Sequence, residues 1–331
     1  MTVKRWIALA VAAIVLVVSS MFQFFSAIAS TNLSDMFELD GGDFRQEIME
    51  TGTNGQIAVI DLDGMIMDTG SQGGLFAGGG YDHRVFMQML EVAAEDASVD
   101  GIVINVNTPG GGVVESAAIH DRIVRAQEEF DTEVYVSMGS MAASGGYYIA
   151  APADYISAHS GTITGSIGVI MDSINFAELA EEWGISHNVI KSGEYKDIMS
   201  PTREMTSEEE QLLQDMVDDM FEEFVEVVVN GRDDLTESEV RELAQGQLFT
   251  GNQALENGLI DGVGDLEHTI DQMQENLDLN ATVVHYTTDF GVGSIWGLAA
   301  ETLASERVTM NQLEQLITHS NAPRLMYLYQ D

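Results

Sequence analysis

Ser137-Met138-Gly139-Ser140-Met141-Ala142-Ala143-Ser144-Gly145-Gly146-Tyr147-Tyr148-Ile149-Ala150-Ala151 sets one serine, Ser144, among tiny residues where a helix is expected to begin. Glu133 to Met138 alternates as a strand does and is expected to stop at Gly139, whereas Met141 to Ala150 has the small and aromatic content of a buried helix. A turn between them would present a hydroxyl. The alanine and glycine neighbours leave its oxygen open to a substrate, and a helix start offers a free backbone N–H, here that of Gly145, to a developing negative charge. Ala142-x-Ser144-x-Gly146 has the spacing of a nucleophile elbow with alanine in the first glycine position. Small residues also let a helix pack closely on a sheet, so by itself the stretch leaves a structural role open.

Upstream, strands and helices alternate, which predicts crossover units. Gln56 to Met65 is a β-type run with Asp61 and Asp63 flanking Leu62, and Gly70 to Gly80 is a glycine-rich stretch expected to be a mobile loop. His83 to Ala97 is an amphipathic helix, Gly101 to Asn107 a short apolar strand and Val113 to Phe130 another helix. Between the last two lies Asn107-Thr108-Pro109-Gly110-Gly111-Gly112, whose backbone amides suit an anion or an oxyanion. A tight turn needing positive φ is the plainer reading of the same glycines.

Downstream, Asp154 to Ala158 is a strand, and Gly161 to Met171, with Ser166 in it, is expected to be buried. Phe176 to Trp183 reads as a helix and Ser186 to Ile190 as a strand. Thr206 to Asn230 is an amphipathic helix with Leu213, Val217, Met220, Phe221, Phe224 and Val228 on one face. Thr236-Glu-Ser-Glu239 opens another helix as a capping box, Gly251 to Gly262 holds a short helix closed by glycine, and Ala281 to Thr287 is a late strand. The end, Arg324 to Asp331, carries Leu325, Met326, Tyr327, Leu328 and Tyr329 and needs a surface to cover it.

Composition narrows the function. With 331 residues and 45% hydrophobic content the chain has ample material for a core. A formal charge of −41 would repel nucleic acid and anionic headgroups, so nucleic-acid binding is not expected. Such an acidic, lysine-poor surface resembles proteins of salt-loving microbes, and activity and the thermal midpoint are expected to rise together from low to molar KCl as screening relieves self-repulsion. A midpoint flat across that range would dissociate the charge from salt adaptation. The absence of cysteine excludes disulfides, zinc-thiolate sites and thiol nucleophiles. Only Lys4, Lys191 and Lys196 are lysines, and the last two fall in Lys191-Ser-Gly-Glu-Tyr-Lys196-Asp-Ile-Met-Ser-Pro201, which points to a needed amine. A salt bridge with Glu194 or Asp197 is the alternative.

At the N-terminus a short cytoplasmic end, residues 1–5, carries Lys4 and Arg5. Residues 6–25 hold no charge and at ~1.5 Å per residue reach about 30 Å, enough for a transmembrane anchor. With the cations inside, the body is expected on the extracytoplasmic face of the cell membrane. A cleaved signal peptide ending near Ala27-Ile28-Ala29 is the competing reading. Residues 26–55 read as an acidic stalk, 56–290 as the main domain with a helical extension at 206–245, and 291–331 as a C-terminal segment and tail.

Asn107-T-P-G-G-G-V-V-E-Ser116, the Ser144 stretch, Thr164-G-S-I-G-Val169 and Lys191 to Pro201, taken in order, resemble the signal peptide peptidase A family of membrane-anchored serine proteases. The likeness runs from about Gln56 to the tail and includes Gly246-Q-L-F-T-G-N-Q-A-L-E-N-G-L-I-Asp261. It implies an α/β fold of the Clp-protease or crotonase type, built of repeated β-β-α units, and a serine-lysine dyad. Ser144 would be the nucleophile, Lys196 the general base and Ser166 the group that orients the lysine; Gly111 and Gly145 would supply the oxyanion-hole amides, and Lys191 would have a less direct role. A lysine accepts a proton only when neutral, a form that burial favours, and the apolar stretch from Ile163 to Ile170 is expected to provide it. The resemblance further implies signal peptides or other short unfolded peptides as substrates, a ring-shaped homo-oligomer and no cofactor or metal. Three alternatives remain: a Ser-His-Asp hydrolase using His83, His120, His159 or His187, a crotonase-type acyl-CoA enzyme, and a catalytically silent membrane scaffold.

Overall fold

Gly101–Thr108 (β3) is a near-continuous run of apolar residues because it lies between parallel neighbours and is covered on both faces. The structure, a computed structural model, describes residues 5, 44–68, 81–288 and 326–328. The expected anchor, the glycine-rich loop and most of the C-terminal segment lie outside them. Around β3 the sheet runs Phe44–Glu50 (β1), Thr282–Thr288 (β10), Gln56–Asp63 (β2), β3, Glu133–Ala143 (β5), Tyr155–Ala158 (β6) and Gly262–Val263 (β9). Only β1 is antiparallel along that order. Ile163–Gly165 (β7) pairs with the far end of β5 and carries the antiparallel Leu248–Thr250 (β8). A separate pair joins Gly110–Gly112 (β4) to Met326–Leu328 (β11).

Helices His83–Glu95 (α1), Val113–Phe130 (α2) and Gly145–Ala150 (α3) bury their apolar sides in the larger core with Ile60, Leu62, Ile104 and Val136 of the sheet. Ala177–Glu182 (α4) has no buried residue. Ser207–Gly231 (α5) buries Phe224, Val225, Val227 and Val228 near its C-terminal end but leaves Leu212 and Met216 exposed. Glu237–Leu243 (α6) and Gly251–Glu256 (α7) open on capping boxes at Thr236 and Thr250, and Leu266–Asn276 (α8) covers the other face of the sheet through Ile270 and Met273. The α/β architecture is the expected one.

Three local expectations are corrected. The strand after Glu133 does not stop at Gly139, and the helix does not start at Met141. β5 continues to Ala143 because its second half finds a new partner in β7, with Ala142 and Ala143 fully buried in that pairing. Ser186 to Ile190 forms no strand: it pairs with no strand among the described residues, and Ile185 and Ile190 stay exposed. Residues 44–50, within the expected stalk, form β1 by pairing with β10 more than 230 residues later.

Candidate active site

Ser144 ends up where β5 turns into α3, with φ 54° and ψ −115°, a conformation that costs a non-glycine residue about 1–3 kcal/mol. Its N–H donates to the Gly165 carbonyl at 2.7 Å, and its carbonyl accepts from Tyr147 and Tyr148 N–H at 2.9 Å. Held this way, the side chain is buried and its Oγ has no hydrogen-bond partner among the described residues. Ser166 follows Gly165, the residue paired with Ala143, and so lies beside the elbow, also at positive φ (51°) and buried.

The glycine turn arrives from β3. Gly110 has φ +106°, which accounts for one glycine; Gly111 is needed for another reason, since a Cβ there would lie 1.9 Å from the Ile66 carbonyl oxygen. The triple glycine is thus a strand, β4, pressed between neighbours, as well as a turn. A Cβ on Gly145 would stand 3.2 Å from the Gly111 nitrogen, so the backbone of the two residues meets next to the elbow. Gly145→Ala would also bring its methyl to 2.6 Å of Ser116 Oγ. If these amides serve as the expected oxyanion hole, the change lowers kcat by roughly 10²-fold while the thermal midpoint stays within a few degrees. An unchanged kcat would remove these amides from the chemistry.

Tyr327 lies against the glycines of the turn. β11 runs antiparallel to β4, with Tyr327 opposite Gly111, and on its other side Met326 exchanges backbone hydrogen bonds with Ile170 at 3.1 and 3.2 Å. The Tyr327 carbonyl oxygen would lie 2.2 Å from a Cβ on Gly110 and 3.2 Å from one on Gly145. Its fully buried ring stacks on Tyr148 (4.9 Å between centroids) and touches Phe224 (4.7 Å), and its hydroxyl donates to the Met220 carbonyl at 3.1 Å. For these three residues the expected coverage of the apolar tail is met; the rest of the tail lies outside the described residues.

Lys196 is not brought to Ser144. It lies in the 3₁₀ turn Glu194–Asp197, exposed, and no hydrogen bond or ion pair reaches its amine among the described residues. Nor does the stretch from Ile163 to Ile170 bury it. Lys191 instead takes the salt-bridge alternative, donating to Asp197 Oδ1 and to the Glu194 carbonyl at 2.6 Å each. The histidines do no better as bases. His83 bonds the Tyr81 hydroxyl, His120 Asp121, His187 Thr202 and His159 the Gly161 N–H; none bonds Ser144.

Two features went unread in the sequence. Ser116, the last residue of the glycine motif, is buried with an unpartnered Oγ beside Gly145. Asp61 joins three strands, accepting from Asn105 Nδ2 and bonding His285 Nε2, both at 2.8 Å. Burial pushes the Asp61 carboxyl up, but the hydrogen bonds from His285 and Asn105 outweigh it and leave the group below its ordinary value. The Asp61 carboxylate in turn raises His285.

Residues 126–280 match the sequence model of peptidase family S49, and residues 80–161 that of the Clp protease. Signal peptide peptidase SppA, as assigned in Enterococcus faecium, is 36% identical over 99% of both chains. The chain belongs to the signal peptide peptidase A family. Protease 4 of Haemophilus influenzae is 31% identical over 83% of this chain and 46% of its own length, and the chloroplastic serine protease SPPA of Arabidopsis thaliana 30% identical over 70% and 34%. This family member is a serine protease.

Proposed function

We propose that this protease is a membrane-anchored endopeptidase that cleaves signal peptides or other short unfolded peptides through a dyad of Ser144 and Lys196. The observation that carries the reading is the Ser144 elbow: a buried hydroxyl, unpartnered among the described residues, on the residue before Gly145, whose backbone lies close to that of Gly111. Ser144 Oγ attacks the peptide carbonyl, the amides of Gly111 and Gly145 hold the oxyanion, and each well-aimed amide contributes about 2.7–4 kcal/mol to that state. The serine proton passes to the Lys196 amine and on to the leaving amine as the C–N bond breaks, and water then hydrolyses the Ser144 ester, releasing the acid and restoring the hydroxyl. An extended substrate would pair with β4 on one side and Ile170 on the other, the place that β11 takes. Residues 6–25 would anchor the body to the membrane, with the site on the extracytoplasmic face.

The base must come from elsewhere. From Glu209 to Phe224, which packs on Tyr148, α5 runs fifteen residues, about 22 Å along its axis at ~1.5 Å per residue. The segment carrying Lys196 sits at the far end and exposes Ile174, Leu179, Trp183, Ile185 and Ile190. In a ring-shaped homo-oligomer this segment would cover its apolar side chains on a neighbouring copy and deliver Lys196 to that copy's Ser144 beside Ser166. Burial of a lysine between subunits favours the neutral amine that a general base requires.

A serine-reactive phosphonate followed by peptide mass mapping tests the assignment. The label is expected on the peptide containing Ser144, and its incorporation should slow by roughly 10²-fold or more in Lys196→Ala. Label on another serine, or undiminished labelling in that variant, overturns the dyad.

A further inference from the structure

The turn that bears Lys196 cannot hold itself. It is one 3₁₀ turn of four residues with no buried side chain, too short to be stable by its own hydrogen bonds. Its fixed point is Asp197. That carboxylate accepts from Arg203 Nη2 at 2.7 Å and Nε at 3.1 Å and from Lys191 Nζ at 2.6 Å, while Arg203 Nη2 also donates to the Asp197 carbonyl at 2.9 Å. The remaining edge of the guanidinium goes to Glu209, Nη1 to Oε2 at 2.7 Å and Nη2 to Oε1 at 2.5 Å. Glu209, 2% exposed in the first turn of α5, closes the capping box by accepting from Thr206 N–H at 3.0 Å.

We propose that Arg203, gripping Asp197 with one edge and Glu209 with the other, is the positioning residue for Lys196: it locks the lysine's turn to α5 and so sets where the amine is presented. The inference rests on Lys196 being the general base. Arg203 touches neither substrate nor reacting atoms; it acts through the backbone of the residue next to the lysine. Only an arginine fits the task, because its planar fork meets two carboxylates in fixed directions, whereas an ammonium is a point charge on a flexible stem. Arg203 and then Lys191 hold the Asp197 carboxyl far below the usual carboxylate range, and Arg203 with the Thr206 N–H holds Glu209 down to about 2. Both acids therefore stay ionised at any pH where the protease works, and the clamp does not open by titration. α5 carries the constraint to the other end of the same rod, where Phe224 packs on Tyr148 and Tyr327.

Two conservative variants of the full chain test the idea. Glu209→Gln keeps an oxygen for the Thr206 N–H and removes the charge; Arg203→Lys keeps the charge and removes the fork. Each is expected to assemble normally, melt within a few degrees of wild type and keep KM within about twofold. Each should lose about 10- to 100-fold in kcat, since a misplacement of about 1 Å costs a reaction about 10². Hydrogen exchange at residues 194–198 should rise while that of β2, β3 and β5 stays the same. Where Arg203→Lys fails to assemble, Asp197→Asn, nearly isosteric and on the turn itself, takes its place. A kcat within twofold of wild type in these variants, or a loss matched by falling stability or assembly, overturns the inference and leaves the cluster as a brace for the helix end. Lys196→Ala separates the two levels. Full activity there sinks the base assignment itself; an inactive Lys196→Ala beside fully active clamp variants sinks only the clamp.

Discussion

Ser144→Ala and Lys196→Ala chains, each expected to lose roughly 10³-fold or more of turnover alone, should recover about a quarter of wild-type activity when co-assembled in equal amounts. The reason is geometric. If each site takes its serine from one copy and its lysine from the next, a random ring contains sites in which a Lys196→Ala chain offers an intact serine to the intact lysine of a Ser144→Ala neighbour. One arrangement in about four meets that condition. A dyad closed within one chain would give no recovery. The exposed, unpaired Lys196 and the unpartnered Ser144 Oγ motivate the first outcome. Mixed assemblies as inactive as either parent would show that the lysine reaches its own serine by a movement of the Lys196-bearing segment. Lys191→Ala serves as the control: it removes one of several contacts on Asp197, and a loss of less than about tenfold is expected.

Truncation after Ala322 is expected to lower KM for peptide substrates by about tenfold or more, with kcat and oligomer size unchanged. β11 lies along the glycine strand where an extended substrate would pair, and a tethered segment competes at an effective concentration in the millimolar range. Among the described tail residues, Tyr327 is the one fully buried side chain. Its buried ring contributes roughly 1.5–3 kcal/mol through area alone, and Tyr327→Ala in the full chain should therefore reproduce much of the effect. Initial-rate kinetics and light scattering on the same samples separate the outcomes. Dissociation on truncation would make the tail a clasp between subunits, and unchanged kinetics, size and stability would leave it without a role.

The parts of the fold that were legible in the sequence are those whose physics is local. Val113–Phe130 is helical from end to end as its periodicity demands, and Thr236 closes the capping box that its spacing announces. The Ser144 elbow was visible because tiny residues, a strand and a helix start all fall within fifteen positions. Gly139 misled because a glycine can end a strand by itself, whereas β5 is kept extended by a partner, β7, that no local signal reveals. The same holds for β1, whose partner β10 lies at the other end of the domain.

Sequence alone determined the alternation of strands and helices, the serine at its turn, the glycine amides beside it and the scarcity of lysine that singled out residues 191 and 196. Tertiary structure alone decided how these pieces meet. It set the tail strand on the glycines, gave Lys191 to Asp197, tied Asp197 to Glu209 through Arg203, and left Lys196 away from Ser144. The physical reason is that a side chain's neighbours are chosen by strand register and helix packing across tens to hundreds of residues, where one-dimensional spacing carries no distance.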